Sequence, residues 1–335
     1  MKLSTAITRL LGIDHPVLLA PMGGVSGGAL AGAVSAAGGL GLIGAGYADP
    51  ALGWGSDEWI AGEFDKAGNR AVGIGFITWA LDKRPGALDA ALERRPAAVM
   101  LSFGDIAPYA EKVKDTGAAL ICQVQTLKDA RDVAAKGADI VVAQGTEAGG
   151  HGANRATLPL VPAVADAVAP VPVAAAGGIA DGRGLAAALM LGAEGVLVGT
   201  RFWATQEALG HPNQKALIER TGGDDTLRTK VFDTARGLIW PEPYTGRAVR
   251  NAFSDEWHNR DDALRAEGEP MRERFFAAQR GGDTGMAVTF AGEGLDLIAD
   301  RPAAGALVER MVADAIDTIL AAPERHLRVA DEADG

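Results

Sequence analysis

Eight short apolar runs, each hydrophobic throughout and separated by helix-like stretches, predict an α/β chain closed into a (β/α)8 TIM barrel. The runs are PVLLAP (16–21), GLGLIG (39–44), AVGIGFI (71–77), AAVMLSF (97–103), ALICQV (119–124), DIVVAQ (139–144), PVPVAAA (170–176) and GVLVGT (195–200). Their spacing, roughly 20 to 35 residues, is that of one strand–helix unit. Apolar and polar residues do not alternate within them, so both faces of each strand are buried and the strands run parallel. The intervals ALAGAVSAAGG (29–39), LKDARDVAAKGA (127–138) and GRGLAAALMLGA (182–193) carry apolar residues at helical spacing. Each also holds a glycine where a helix stops. Eight units in series favour closure, with an open doubly wound sheet as the alternative.

The rhythm breaks after Thr200. Residues 201 to about 300 are more polar and carry several tryptophans, in FWATQE, GLIWPEPY and SDEWHNRD. This segment reads as a mostly helical insertion after the eighth strand. Three parts follow: a barrel over 1–205, a helical insertion on the substrate side over 206–300, and a C-terminal helix completing the barrel over 301–325. In that helix, apolar residues at 307, 308, 311, 312, 315, 316, 319 and 320 form one packing face. The tail RVADEADG reads as frayed.

Composition narrows the function. A net charge of −11 without a basic stripe argues against nucleic acid. No uninterrupted apolar stretch approaches the ~18 residues of a membrane-spanning helix. The N-terminal residues lack the apolar centre of a signal peptide. The single cysteine, Cys122, excludes an intrachain disulfide framework and reads as a small buried hydrophobe. A cytoplasmic protein acting on small molecules is expected, with a homodimer left open.

Chemistry in such a barrel sits where the strands end, on the loops leading into the helices. Those ends are APMGG (20–24), GFIT (75–78), QVQT (123–126), GTEAGGH (145–151), AGGIADGRG (176–184) and GTRF (199–202). The last two are where barrels build phosphate sites from backbone N–H groups, and a Cβ there would obstruct a phosphate. Gly177, Gly178, Gly199 and Thr200 are therefore candidates for an anion clamp, with tight turns as their alternative role. Such a clamp, with further glycines at strands 1 and 6, suits a ligand with a phosphate tail and a flat body: FMN. Gln123 would donate to the pyrimidine edge, and Met22 would pack against the ring. GLGLIG (39–44) matches a dinucleotide fingerprint but lies within a strand instead of between strand and helix. GVSGG (24–28) matches a serine-hydrolase elbow but follows the first strand and lacks an acid and a histidine in the required order. His151 stands beside the proposed flavin, and imidazole is the side chain best suited to moving a proton at neutral pH. Gly149 and Gly150 would let the backbone pass the flavin edge while aiming His151 inward. Glu147 receives no role.

These residues resemble the nitronate monooxygenase family, formerly 2-nitropropane dioxygenases, across nearly the whole chain. The likeness rests on APMGG, QGTEAGGH, AAGGIADGRGLAAALMLGAEGVLVGTRFWAT and GGDT (281–284). It implies noncovalent FMN, with the ring near Met22, Gly23, Gly75 and Gln123 and its edge at Gly149 and Gly150. It also implies a phosphate on Gly177, Gly178, Gly199 and Thr200, and His151 as catalytic base. Related barrels include NAD(P)H:quinone reductases and flavin-dependent enoyl-acyl-carrier-protein reductases, so fold and cofactor do not set the reaction. Gly75 stands where several relatives have asparagine, and Gln123 where some have lysine, which puts the substrate in question. The leading expectation is an FMN-dependent nitronate monooxygenase using O₂ and a histidine base. The alternatives are an NAD(P)H-dependent quinone or enoyl-thioester reductase and a non-catalytic flavin-binding barrel.

Overall fold

A computed structural model describes residues 1–49 and 54–327 of the chain. The expected frayed tail, 328–335, lies outside the described residues. The strands are β1 (Val17–Leu19), β2 (Leu42–Gly46), β3 (Gly73–Ile77), β4 (Ala98–Ser102), β5 (Ala119–Val124), β6 (Ile140–Gln144), β7 (Gly150–Gly152), β8 (Val173–Ala176), β9 (Gly195–Val198), β10 (Thr226–Thr229) and β11 (Thr245–Val249). Eight of them pair in parallel in the order β1-β9-β8-β6-β5-β4-β3-β2. A parallel bridge between Leu18 and Leu40 joins the two ends of that row into a nearly closed barrel. Every apolar run contributes a barrel strand. The second begins three residues into its run, because Leu40 is used for closure and Gly41 lies against the backbone of Ala31, where a Cβ would overlap.

The uninterrupted apolar runs are explained by two cores. Leu18, Leu42, Met100, Ile121, Val142 and Ala174 belong to the cluster that fills the barrel. Their neighbours Val17, Ile43, Val99, Cys122, Val141 and Ala175 belong to the larger cluster that includes the surrounding helices. Side chains alternate along a strand, so both faces must be apolar. Cys122 is buried in this second cluster.

The three expected helices form at Gly28–Ala36, Leu127–Ala135 and Gly182–Met190. Each stops at a left-handed glycine, Gly38, Gly137 or Gly192, with φ of 86°, 89° and 90°. Beyond β9 the chain is mainly helical, including Pro212–Ile218, Val231–Ala235, Ala252–Trp257 and Gly268–Gly281. It also holds a feature absent from the sequence reading. Strands β10 and β11 pair antiparallel, and β11 pairs in turn with β7, which lies in the segment following β6. The final helix, Ala304–His326, returns to pack on the helices at Gly182–Met190 and Gly28–Ala36. Among the described residues no helix is long and apolar enough to cross a membrane.

Candidate active site

The barrel mouth opens into a cavity of about 760 Å³. Met22, Gly23, Gly75, Gln123, Gly149, Gly150, His151, Gly177, Gly178, Gly199 and Thr200 all line it. The strand ends bring together residues spread over nearly 180 positions of chain. Period-two alternation places Gln123 and Gln144 one step above the interior residues Ile121 and Val142. Gln144 Oε1 accepts from Gln123 Nε2 at 3.2 Å and from Gln125 Nε2 at 2.8 Å. Gln123 is thus oriented by a protein acceptor and keeps its second amide hydrogen.

Several glycines also make room within the protein. A Cβ on Gly75 would overlap the Pro21 ring, so glycine there lets the loop after β1 cross β3. A Cβ on Gly149 would approach the backbone of Ala291 and Gly292 to 2.6 Å. Its bareness therefore seats the 291–292 segment, while Gly149 still lines the cavity. Gly150, with φ of 74°, is the open one: nothing lies within 4 Å of its missing Cβ.

At the ends of β8 and β9, Gly177 and Gly178 take φ of 109° and 73°. The backbone N–H groups of Gly177, Gly178, Gly199 and Thr200 donate to no other described residue. These four free donors line one cavity wall, and successive backbone N–H groups of this kind can receive an anion. The helix that follows contributes less than expected. Its N-cap, Asp181, accepts from the N–H groups of Arg183 and Gly184, placing a carboxylate at that terminus. Thr200 Oγ1 accepts from Gly292 N at 3.0 Å and keeps its own proton to give. Glu147, left without a role, accepts from the backbone N–H and hydroxyl of Thr157 and fixes the loop between β6 and the next helix. Elsewhere on the cavity lining, the buried Trp54 Nε1 beside Gly23 has no hydrogen-bond partner among the described residues. Free donors of both kinds suit a flat ligand with acceptors on its ring and an anionic tail, as FMN has.

His151 lies in β7, not in a loop, directly opposite Gly246 of β11. Its Nε2 sits 3.0 and 2.9 Å from the two carboxylate oxygens of Asp233. Asp233 also accepts from Arg236 at 2.6 Å, one turn along the short helix Val231–Ala235. All three side chains are buried. Burial pushes Asp233 up, but His151 and Arg236 outweigh it and hold the carboxyl below its ordinary range. Burial holds the His151 imidazole below its usual value, against the opposing pull of Asp233. The result is a neutral imidazole beside an ionised carboxylate, with Nε2–H donated and Nδ1 left unprotonated. Trp240 lies flat on the ring, centroids 3.5 Å apart and planes 6° apart. Trp240 Nε1 donates to the Tyr47 hydroxyl at 2.8 Å.

Asp233, Arg236, Trp240 and Tyr47 were not found from the sequence. DTAR holds an acid and a base one helical turn apart, and Trp240 stands in GLIWPEPY, but nothing linear ties either to a histidine 82 residues away. Among the described residues no group of three or more His, Cys, Asp or Glu side chains is placed to hold a metal.

Comparison with known proteins shows the family. A family model described as nitronate monooxygenase matches residues 4–61 and 69–314. A nitronate monooxygenase of Neurospora crassa is 35% identical over 347 residues, covering 91% of this chain and 90% of its own. A (3aS,4S,5R,7aS)-5-hydroxy-7a-methyl-1-oxo-octahydro-1H-indene-4-carboxyl-CoA dehydrogenase of Rhodococcus jostii is 32% identical, covering 95% of this chain and 97% of its own. The structure of FabK from Thermotoga maritima superposes with a TM-score of 0.81 at 31% identity, covering 96% of this chain and 99% of that one.

Proposed function

The chain belongs to the nitronate monooxygenase family, and from that premise we propose that it uses FMN and O₂ to oxidise alkyl nitronates, with His151 as base. As a member it is a flavin-dependent oxidoreductase. The observation that carries the finer reading is the neutral His151, pinned through Nε2 to a buried carboxylate on the wall of the cavity.

Bound FMN supplies the electron acceptor. Gly177, Gly178, Gly199 and Thr200 would hold its phosphate through their free N–H groups, while Trp54 and Gln123 offer donors to the ring. The protein's own work is proton removal. A nitroalkane entering the cavity presents an acidic α-C–H, and the Nδ1 lone pair accepts that proton. The imidazolium so formed keeps its Nε2–H on Asp233, whose negative charge balances it, and Arg236 keeps Asp233 ionised. The indole face of Trp240 adds attraction for the cation. The rings of Trp240 and Phe290 pack against the imidazole and reduce its contact with water.

A second reading, an NAD(P)H-dependent reductase of a quinone or enoyl thioester, is favoured by the likeness to FabK over 96% of the chain. In it His151 protonates the acceptor instead. We assign either enzyme to the cytoplasm, in keeping with a single, buried, unpaired cysteine.

One experiment separates the readings. The purified flavoprotein is mixed without oxygen with propyl nitronate, NADH or NADPH. Rapid bleaching of the flavin by the nitronate is the expected result. No spectral change at millimolar nitronate refutes the leading reading, and fast reduction by NADH or NADPH promotes the second.

A further inference from the structure

Tyr47 follows directly after β2 and lines the cavity. Among the described residues its hydroxyl has one hydrogen-bond donor and no acceptor. Trp240 Nε1 donates to it at 2.8 Å, and the Arg236 guanidinium carbon lies 6.0 Å from the centre of the Tyr47 ring. A phenolic oxygen has one proton of its own to give. With Trp240 already directed at the oxygen, that proton has no acceptor among the described residues. Burial pushes the Tyr47 phenol up, so the proton stays on it at neutral pH. An O–H taken from water without an acceptor is costly, and the cavity is where an acceptor can enter.

We propose that Tyr47 is a catalytic residue that donates its hydrogen bond to the negatively charged oxygen of the bound nitronate. The inference rests on the carbon-acid reading of the site and adds the group that meets the charge. Deprotonating a nitroalkane separates two events in space: the proton leaves carbon, while the charge settles on the nitro oxygens. The site has a matching division. His151 faces the first event and Tyr47 the second, and Arg236 is bonded to Asp233 and lies beside the Tyr47 ring. One guanidinium therefore steadies the base's anchor and sets a positive charge beside the oxyanion donor. A donor aimed where charge develops is worth more in a dry site than in water, because it needs no reorganisation.

The test uses the flavin-loaded protein and nitrate, a planar oxyanion shaped like a nitronate head that no step consumes. Tyr47→Phe should retain flavin, weaken nitrate binding by about 10- to 100-fold, and slow oxidation of preformed propyl nitronate by about 10²- to 10³-fold. The variant leaves the Trp240 N–H without its acceptor, so a measurement on the unaltered chain accompanies it. The sequence has three tyrosines, and Tyr109 is bonded to Asp82 outside the cavity lining. In protein grown on 3-fluorotyrosine, the ¹⁹F resonance of Tyr47, assigned with Tyr109→Phe and Tyr244→Phe, should move as nitrate saturates while that of Tyr109 stays still. Nitrate binding that is absent, or equal in the two proteins, or saturable without moving the Tyr47 resonance overturns the proposal. If nitrate shifts Tyr47 but no nitronate is oxidised, the assigned reaction fails and the oxyanion donor stands.

Discussion

Asp233 is the residue on which the candidate base depends. It is buried, holds Nε2 of His151, and takes its own compensation from Arg236. Asp233→Asn keeps the shape and removes the charge, leaving the Arg236 guanidinium buried without a counter-ion. Removing one partner of a buried ion pair costs about 3–5 kcal/mol, and chemical denaturation should show a loss of that order. The pH profile gives a sign as well. A base works unprotonated, so kcat/KM on a neutral nitroalkane should rise with pH through the His151 pKa and then level. Burial puts that limb below the usual imidazole value of about 6.5. In the variant, the attraction that supports protonation is lost while Arg236 still repels, so the limb should move to lower pH and the plateau should fall. A limb that moves upward would remove Asp233 as the partner.

At the scale of elements, the strand pair β7–β11 joins the barrel to the inserted segment. The insertion supplies Asp233, Arg236 and Trp240 to a histidine carried by the segment that follows β6. The pairing requires Gly246 opposite His151, where a Cβ would stand 2.7 Å from Phe290 Cε1 and 3.6 Å from His151 Nε2. Gly246→Val should therefore displace Phe290 and push on the imidazole without touching the barrel. Nitroalkane turnover should fall at least tenfold, the order of loss when a positioned base is misplaced, with flavin content unchanged. Full activity in this variant would mean that the β7–β11 register does not position His151. The sequence reading saw the histidine and the glycines around it, but placed them in a loop. GHG is too short and too glycine-rich to announce a strand, and its partner lies almost a hundred residues away.

For the whole molecule, the last helix packs against two of the helices that surround the barrel. Leu307, Val308, Met311, Val312 and Ala315 are buried in the same cluster as the outer faces of the barrel strands. The helices approach so closely that a Cβ on Gly182 would overlap Asp314. Met311→Ala should leave a cavity at this seam and lower unfolding stability by about 2–5 kcal/mol, read from denaturant midpoints. A loss below 1 kcal/mol would show that the helix is an accessory and not part of the closed barrel.

The sequence by itself determined the barrel, because eight runs buried on both faces, separated by helix-like stretches, leave few ways to hide so much apolar surface. It also identified the cavity residues at the strand ends, since a parallel barrel gathers those ends at one mouth wherever they lie in the chain. Only the tertiary structure decided which groups act on His151. Asp233, Arg236 and Trp240 reach it, and Tyr47 reaches Trp240, through an antiparallel strand pair and a ring stack formed between distant segments. Such contacts follow no period, and periodicity is the signal by which a single chain discloses its folding.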